Sequence, residues 1–301
     1  MAEQSRLARL LSQRILVADG AMGTMLQDAG LEPGTPPEVW NRDRPEAVRA
    51  VHAAYLRAGA DLLVANTFTA TRLQLERHGL ADKVAELNRL GVELARMEAG
   101  PERLVFGDMT STGALLEPFG TLSFAEARDA YAEQAEALAA GGPDAILIET
   151  MMDVNEGRAA IQGVHDATDL PVICTFSFQK GGRTVMGAGP AEVAQLWQEG
   201  LAAIGANCGH NLQDTLAVVE ELRRLLPEAT LMAKPNAGVP VLGEDGRTHF
   251  DVDPEPMGAF SVRFLDAGAR IIGACCGSTP DHIAAIARAA RAYPSSGGTN
   301  V

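Results

Sequence analysis

Eight short apolar runs, each followed by a longer amphipathic stretch, give the chain a regular alternation. The runs are rich in Val, Ile and Leu and nearly free of polar residues, which is typical of parallel strands covered on both faces. We predict strands over 15–18, 61–65, 104–107, 145–148, 171–176, 202–206, 230–233 and 269–273. We predict helices over 45–58, 69–99, 123–140, 155–167, 190–201, 213–226, 254–267 and 280–292.

Eight consecutive strand–helix units predict an α/β fold of the (β/α)8 TIM barrel type. An open doubly wound sheet is the alternative, although it would have to find edges for many strands. The chain has 301 residues, a usual length for one such barrel. We expect a single barrel over 1–293 and a disordered tail over 294–301, where the sequence is PSSGGTNV.

The charge balance excludes several classes of partner. The formal net charge is −14, and no basic stripe is present that would neutralise nucleic-acid phosphates. The same acidity argues against an anionic membrane surface, and no apolar run approaches the roughly 18 residues that span a bilayer. The N-terminus lacks the apolar core of a signal peptide, so we expect a cytoplasmic protein. A homo-oligomer stays open, because apolar residues on outer helices could pair with a second copy.

Polar residues follow the apolar runs at the point where each run ends. In a barrel of this type the active site forms at the C-terminal ends of the strands. The strands were assigned from apolar character alone, so this gathering of polar groups on one rim is an independent indication of a site. The candidates are Asp19, Gly20, Ala21, Met22, Gly23, Asn66, Asp108, Glu149, Asn207, Cys208, Lys234, Cys275 and Cys276.

Three of the four cysteines are candidate metal ligands. Cys208 follows the sixth predicted strand, and Cys275 and Cys276 follow the eighth, so the barrel brings them to one mouth. The adjacent pair is a poor disulfide, since a bridge across one peptide bond is strained. Three thiolates suit zinc and leave its fourth position open, which is the catalytic pattern. The alternative is that all four cysteines are small core residues, and we favour this for Cys174, which lies mid-strand.

A zinc ion held by three thiolates favours a fourth sulfur over water, because its ligands already carry excess negative charge. A free thiol has a pKa of about 8.5, and coordination to a metal deprotonates it, which creates a sulfur nucleophile. Asp19 and Glu149 are the carboxylates best placed to hold an ammonium group. The amides of the turn at 20–23 are able to cradle a carboxylate, as glycine-rich turns do. Together these groups predict an amino-acid substrate with a side-chain thiol.

Six motifs resemble one known family. They are ADGAMGTMLQ at 18–27, ANTF at 65–68, VFGDM at 105–109, LIETMMDVNE at 147–156, GANCG at 205–209 and GACCGSTPDHI at 273–283. Together they resemble the homocysteine S-methyltransferase family over the chain to about residue 292. That family includes the homocysteine-binding module of cobalamin-dependent methionine synthase, betaine–homocysteine methyltransferase and S-methylmethionine-dependent enzymes.

The resemblance implies a (β/α)8 barrel with one catalytic zinc on Cys208, Cys275 and Cys276. It also implies that homocysteine is the substrate and is methylated to methionine. By the same matching, Asp19 and Glu149 would bind the homocysteine amino group, and the turn at 20–23 its carboxylate. Asn66 and Asn207 would have supporting roles at the substrate site.

The methyl donor stays open at this stage. It is either methylcobalamin presented by another protein or a small onium compound, betaine or S-methylmethionine. A cationic donor needs an aromatic cage or an acidic rim, and the chain has only two tryptophans and three tyrosines. Ala274 and the segment 109–113 depart from the GGCCG and GPTG-like patterns common in the family. Two further functions are open: a corrinoid-linked methyltransferase or demethylase acting on another thiol or amine, and a non-catalytic regulatory barrel.

Overall fold

The computed structural model describes residues 5–243 and 248–294 of the chain. Eight parallel strands form one sheet in the order β1-β10-β7-β6-β5-β4-β3-β2, and β8 and β9 form a separate antiparallel hairpin. The strands are β1 (Leu16–Val17), β2 (Leu62–Val64), β3 (Leu104–Met109), β4 (Ala145–Met151), β5 (Val172–Phe176), β6 (Ala203–Cys208), β7 (Leu231–Pro235), β8 (Val241–Leu242), β9 (Thr248–His249) and β10 (Ala269–Ile272).

The two ends of the eight-stranded sheet meet, so the sheet is a barrel. Ala18, directly after β1, forms a parallel bridge with Leu62 of β2. The amide of Asp61 donates to the carbonyl of Val17 at 2.7 Å across the same seam. The prediction of a (β/α)8 barrel is therefore confirmed, and the open sheet is excluded because neither end strand is left as an edge.

Helices connect the strands on the outside of the barrel. They are α1 (Arg6–Gln13), α2 (Gly23–Asp28), α3 (Trp40–Asp43), α4 (Pro45–Ala58), α5 (Arg72–Glu76), α6 (Val84–Ala99), α7 (Phe124–Ala139), α8 (Val154–Ala167), α9 (Pro190–Ala194), α10 (Leu212–Leu225), α11 (Pro254–Asp266) and α12 (Pro280–Ala292). Three short 3-10 helices cover Pro37–Val39, Ala81–Lys83 and Gln195–Glu199.

Two predicted helices need correction. The helix predicted over 69–99 is divided into α5, a 3-10 turn and α6, because Gly79 adopts a left-handed φ of 69° that ends the first segment. The helix predicted over 190–201 stays α-helical only to Ala194 and continues as a 3-10 helix to Glu199. Gly200, with a φ of 86°, ends that segment.

The hydrophobic core includes a layer of side chains inside the barrel. The packing of that layer limits where a cavity can form. Side chains from alternate strand positions, among them Leu62, Phe106, Leu147 and Met232, fill the lower barrel. Leu7 of α1 joins them and is fully buried, so this helix closes the N-terminal end. Because the lower barrel is packed, the barrel interior opens towards the C-terminal ends of the strands, where a site is expected in this fold.

The outer boundaries of the predicted domain are only partly visible. The described strands and helices run from α1 to α12 as one barrel. The tail predicted to be disordered, 294–301, lies outside the described residues apart from Pro294, and the domain boundary at 293 stays a prediction. Within residues 5–243 and 248–294, no helix has the length and apolarity needed to cross a membrane.

Candidate metal centre and substrate cavity

Three cysteine thiols meet at the C-terminal mouth of the barrel. Cys208 is the last residue of β6, and Cys275 and Cys276 lie just after β10. The Cys208 sulfur is 2.8 Å from that of Cys275 and 3.8 Å from that of Cys276, and all three lie within 4.8 Å of one another. Tetrahedral zinc with Zn–S bonds of about 2.3 Å holds its sulfurs about 3.8 Å apart. These three side chains, the thiol triad, therefore fit one zinc ion after a small adjustment.

The backbone around the thiol triad is tightly constrained. A Cβ at Gly205 would lie 1.9 Å from the carbonyl oxygen of Met232, so only glycine lets β6 approach β7 this closely. The Cys275 amide donates to the carbonyl of Pro235 at 2.8 Å, which ties the turn after β10 to the end of β7. Cys208 itself adopts a left-handed φ of 51°, which is uncommon for a residue with a side chain. The thiols are thus held by the barrel and not by a flexible loop.

The thiols differ in acidity. Hydrogen bonding with Cys208 and Cys275 lowers the pKa of the Cys276 thiol below its usual value. Hydrogen bonding with Cys275 and Cys276, together with burial, raises the pKa of the Cys208 thiol. Cys174 is fully buried in β5 away from this group, and the prediction that it is a core residue is confirmed.

A cavity of about 270 Å³ opens beside the thiol triad. Most of the sequence-predicted site residues line it. Asp19 and Asn207 do not line it; they lie directly behind its surface. The lining residues are Gly20, Ala21, Met22, Gly23, Thr24, Gln27, Pro37, Glu38, Val64, Ala65, Asn66, Phe68, Thr69, Asp108, Glu149, Thr150, Cys208, Lys234, Ala274, Cys275 and Cys276.

Three buried carboxylates, Asp19, Asp108 and Glu149, form an acidic cluster on one side of the cavity. Asp19 accepts a hydrogen bond from the Val64 amide through Oδ2 at 2.8 Å, whereas its Oδ1 has no partner among the described residues. Burial raises the pKa of Asp19 to about 7, although Lys234 opposes the rise. Asp108 also has an unpartnered Oδ1, and burial beside Glu149 raises its pKa well above the usual value.

Lys234 places a cation beside this acidic cluster, and no pattern in the sequence indicates which carboxylate it pairs with. Its Nζ lies 2.9 Å from Oε2 of Glu149, and only 3% and 7% of the two side chains are exposed. Burial alone would lower the pKa of Lys234, but Glu149 and Asp19 raise it above the usual value, so the side chain is an ammonium. Burial raises the pKa of Glu149, and Lys234 opposes that rise.

Asn207 positions the rim of the cavity from behind. Its Oδ1 accepts hydrogen bonds from the Thr150 amide at 2.8 Å and the Thr175 hydroxyl at 2.7 Å. Its Nδ2 donates to the Thr150 hydroxyl at 2.7 Å and lies 3.9 Å from the Cys275 sulfur. Thr150 follows Glu149 and has a left-handed φ of 62°. Asn207 therefore links the acidic cluster to the thiol triad.

Asn66 and Glu38 form the opposite wall. The Asn66 side chain donates to the Pro37 carbonyl at 2.8 Å and to Oδ1 of Asn41 at 2.9 Å, which anchors the 3-10 turn after residue 36. That turn brings Glu38 to the cavity, where its carboxylate accepts hydrogen bonds from the amide and hydroxyl of Thr69. Burial raises the pKa of Glu38. Sequence reasoning missed Glu38 because no apolar run precedes it.

The turn at 20–23 is fixed from two sides. The Ala21 amide donates to Oγ of Ser278 at 3.0 Å, and the Tyr55 hydroxyl donates to the Ala21 carbonyl at 2.7 Å. A Cβ at Gly20 would lie 2.5 Å from the same Ser278 oxygen, so a larger residue would displace the turn. The Ala21 amide is thus already paired, while Gly20, Met22 and Gly23 lie along the cavity.

The segment after β3 is held by one buried carboxylate. Glu156 of α8 accepts hydrogen bonds from the Ser111 hydroxyl, from the amide and hydroxyl of Thr112, and from the Tyr131 hydroxyl. Thr110 adds a hydrogen bond from its hydroxyl to the Glu149 carbonyl at 2.8 Å. The segment 110–112 is therefore a fixed part of the rim.

Comparisons with known proteins agree with the geometry. The chain is 34% identical to methionine synthase of Mycobacterium leprae (strain TN) over 306 residues, covering 94% of this chain and 25% of that protein. It is 34% identical to methionine synthase of Mycobacterium tuberculosis (strain ATCC 25618 / H37Rv) over 302 residues, covering 93% and 25%. The chain thus spans about a quarter of the length of these relatives.

A solved structure and a family profile cover nearly the whole barrel. The metallated form of the homocysteine methyltransferase MmuM from Escherichia coli superimposes with a TM-score of 0.78 at 26% identity, covering 94% of this chain and 99% of that one. The profile described as homocysteine S-methyltransferase matches residues 16–290. With the thiol triad and the cavity beside it, this match establishes that the chain belongs to the homocysteine S-methyltransferase family.

Proposed function

We propose that this chain is a zinc-dependent enzyme that methylates the thiol of homocysteine to give methionine. The observation that carries the proposal is the thiol triad, with its sulfurs within 4.8 Å of one another, in the same cavity as a buried acidic cluster. The triad supplies a site for a metal that binds sulfur, and the cluster supplies negative charge for an ammonium group. A reducing compartment such as the cytoplasm would keep the three thiols available for zinc.

The donor set fits zinc. Cys208, Cys275 and Cys276 are soft sulfur ligands, and three protein ligands leave a fourth position for substrate. Zinc bound there would lower the pKa of a coordinated thiol and so make it nucleophilic at neutral pH.

The residues of the chain orient the substrate around that position. The acidic cluster receives the substrate ammonium, with Asp108 and Glu149 at the cavity surface and Asp19 adding its charge from behind. The turn at 20–23 receives the substrate carboxylate. Asn207 acts indirectly, by holding Thr150 and the residue before it in place. Confinement in a partly buried cavity keeps water from competing with the thiol.

For the donor we propose methylcobalamin presented by another protein. A small onium donor is recognised best by aromatic faces, yet Phe68 is the sole aromatic side chain among the described residues that line the cavity. Trp40 does not supply a second face, because it is buried and is not among the residues that line the cavity. A donor carried by a separate protein needs no cage within this barrel.

Metal analysis with matched cysteine variants tests the zinc proposal. We expect about one zinc per chain in the purified protein, since structural or catalytic sites of this type hold a single ion. Cys208→Ser is expected to lose both the zinc and methionine formation, whereas Cys174→Ser, which alters a thiol outside the triad, should keep both. Methylation of homocysteine by metal-free wild-type protein would refute the proposal.

A panel of methyl donors tests the proposal that methylcobalamin is the donor. Methylcobalamin, methyltetrahydrofolate, betaine and S-methylmethionine are each supplied with homocysteine, and methionine is measured. We expect turnover with methylcobalamin and none with betaine. Turnover with betaine or S-methylmethionine alone would overturn the donor assignment and leave the homocysteine assignment intact. Zinc and homocysteine binding without turnover from any donor would indicate a non-catalytic barrel.

A further inference from the structure

A buried histidine that does not line the substrate cavity joins two distant parts of the chain. His282 lies in the first turn of α12 and is 6% exposed. Its Nδ1 accepts a hydrogen bond from the Thr279 amide at 3.1 Å and lies 2.9 Å from the Thr279 hydroxyl, so Nδ1 carries no proton. Its Nε2 lies 2.8 Å from the Val252 carbonyl, which can only accept, so Nε2–H is the donor. The partners of the ring therefore fix its tautomer.

The carbonyl that His282 holds belongs to the segment between β7 and α11, which lies against the metal-binding turn after β10. The Val252 amide donates to the Ala237 carbonyl at 3.0 Å, and the Ala237 amide donates to the Cys276 carbonyl at 3.0 Å. Three consecutive hydrogen bonds thus connect His282 to the backbone of Cys276, a member of the thiol triad. The connection consists of protein groups alone, so it should form in the metal-free protein as well.

The same segment packs against the residue that follows Cys276. A Cβ at Gly277 would lie 2.1 Å from a ring carbon of Phe250, so the aromatic ring packs closely on the backbone of this glycine. Residues 250–252 therefore meet the metal-binding turn in two ways, through the Phe250 ring and through the hydrogen bonds that pass by Ala237. A shift of this segment would move the backbone of Cys276.

The other two members of the triad have anchors of their own. Cys208 belongs to strand β6 itself. The Cys275 carbonyl accepts a hydrogen bond from the Ser278 hydroxyl at 2.7 Å, within the same turn. Cys276 lies beyond the end of β10, and its carbonyl is held by Ala237. The position of Cys276 therefore depends on the segment that His282 holds.

We propose, building on the zinc site of the proposed function, that His282 is a positioning residue for the metal ligand Cys276. Its Nε2–H holds Val252, and Val252 and Ala237 pass that constraint to the backbone of the ligand. Partners that lie behind a metal ligand set its orientation, and their loss typically weakens metal binding about 10–100-fold. With this connection in place, Cys276 keeps one orientation toward the metal and zinc is released slowly.

Three substitutions separate this role from helix capping, which is the competing interpretation of a polar residue in the first turn of α12. In His282→Asn the side-chain oxygen takes the place of Nδ1 and keeps the bond from the Thr279 amide, but the side chain is too short to reach Val252. In His282→Gln the longer side chain places an amide nitrogen at the position of Nε2 and keeps the donation to Val252. Thr279→Ala is the matched control, because it removes the hydroxyl of the N-cap residue and leaves both bonds from the ring to the backbone.

Zinc release to a chromogenic chelator and the absorption spectrum of the cobalt-substituted protein report on the metal site. We expect His282→Asn to release zinc about tenfold or more faster than wild type and to change the cobalt spectrum. We expect His282→Gln to stay within about threefold of the wild-type rate. Thr279→Ala should lower the thermal midpoint and change neither property. In metal-free His282→Asn, the Ala237 amide should exchange its hydrogen faster than in metal-free wild type.

The outcomes separate the role of His282 from the proposed function. If wild-type protein binds no zinc, the proposed function fails. If wild-type protein binds zinc but His282→Asn releases it at the wild-type rate, or no faster than His282→Gln or Thr279→Ala does, the role of His282 is overturned and the function stands.

A further variant keeps the proposal testable if His282→Asn does not fold. Phe250→Leu leaves the histidine and the helix cap intact and weakens the packing of the same segment on Gly277. It should also speed zinc release, and an unchanged rate would overturn the role of this segment in positioning Cys276.

Discussion

Asn207 offers the sharpest test of how the site is held together. Replacing Asn207 with Ala removes the acceptor for the Thr150 amide and for the fully buried Thr175 hydroxyl. A buried donor left without a partner costs about 1–3 kcal/mol. Thr150 is partly exposed, so water can replace part of what its amide loses. We therefore expect Asn207→Ala to lower the free energy of unfolding by about 2–4 kcal/mol.

Urea unfolding followed by circular dichroism measures this change, and Thr175→Val provides the matched comparison. Thr175→Val alone removes one hydrogen bond but leaves Asn207 paired with Thr150, so it should cost about 0.5–1.5 kcal/mol. In the Asn207→Ala background the Thr175 hydroxyl already lacks its acceptor. There, Thr175→Val should be neutral or stabilising, because it replaces an orphaned donor with a methyl group.

The double-mutant cycle decides whether the reasoning holds. We expect the two substitutions to be coupled by about 1 kcal/mol or more, with the double variant more stable than the sum of the single effects predicts. Strictly additive effects, or a loss below about 1 kcal/mol for Asn207→Ala, would show that these hydrogen bonds do not support the site. Homocysteine affinity should fall with Asn207→Ala more than with Thr175→Val, since only Asn207 also contacts the Thr150 hydroxyl.

Three further predictions follow from buried groups. His52 is fully buried, and neither ring nitrogen has a hydrogen-bond partner within residues 5–243 and 248–294. Burial lowers the pKa of His52 to about 3, so the unfolded chain takes up a proton first as the pH falls below 6.5. Between pH 7 and pH 5 the free energy of unfolding should therefore fall by about 2 kcal/mol more in the wild-type protein than in His52→Leu. Urea titration measures both values, and an equal fall in the two proteins would contradict this. Glu156→Ala should leave the Tyr131 hydroxyl and the Thr112 amide without their acceptor and lower the free energy of unfolding by about 3 kcal/mol. It should also speed hydrogen exchange at residues 110–112, and unchanged exchange there would count against the anchoring role of Glu156. In metal-free protein, iodoacetamide should label Cys276 first and Cys174 only after denaturation, as measured by mass spectrometry. The reason is that the pKa of the Cys276 thiol is lowered, whereas burial raises the pKa of the Cys174 thiol. Early labelling of Cys174 would disprove this order.

The barrel was predictable because its strands are covered on both faces and so are apolar almost throughout. Their ends were less predictable. β6 and β7 continue past their apolar runs, since the backbone goes on pairing at Asn207 and Lys234 while the side chains turn polar at the rim. In β4 the register shifts between Ile148 and Met151, and Glu149 lies in that irregular stretch. The break at Gly79 was missed because the residues on both sides have similar amphipathic character.

The candidate site was predictable by residue type and place, but not by partner. Thiols at the ends of the sixth and eighth predicted strands indicated the triad, since a barrel brings all strand ends to one mouth. The pairing of Lys234 with Glu149 depends on side-chain conformations that meet across the barrel, which leave no pattern in the sequence. Glu38 reaches the cavity from a segment with no periodicity, so nothing pointed to it.

The left-handed backbone at Thr150 and Cys208 limits how far the stability of this barrel can be raised without loss of the site. For residues with a side chain this conformation costs about 1–2 kcal/mol each, and glycine would remove that cost. Glycine at 150 would give up the hydroxyl that Asn207 binds, and glycine at 208 would give up a metal ligand. A screen for thermostability of the metal-free protein should therefore enrich glycine at position 208 and select against the site, whereas selection for methionine formation should keep cysteine there.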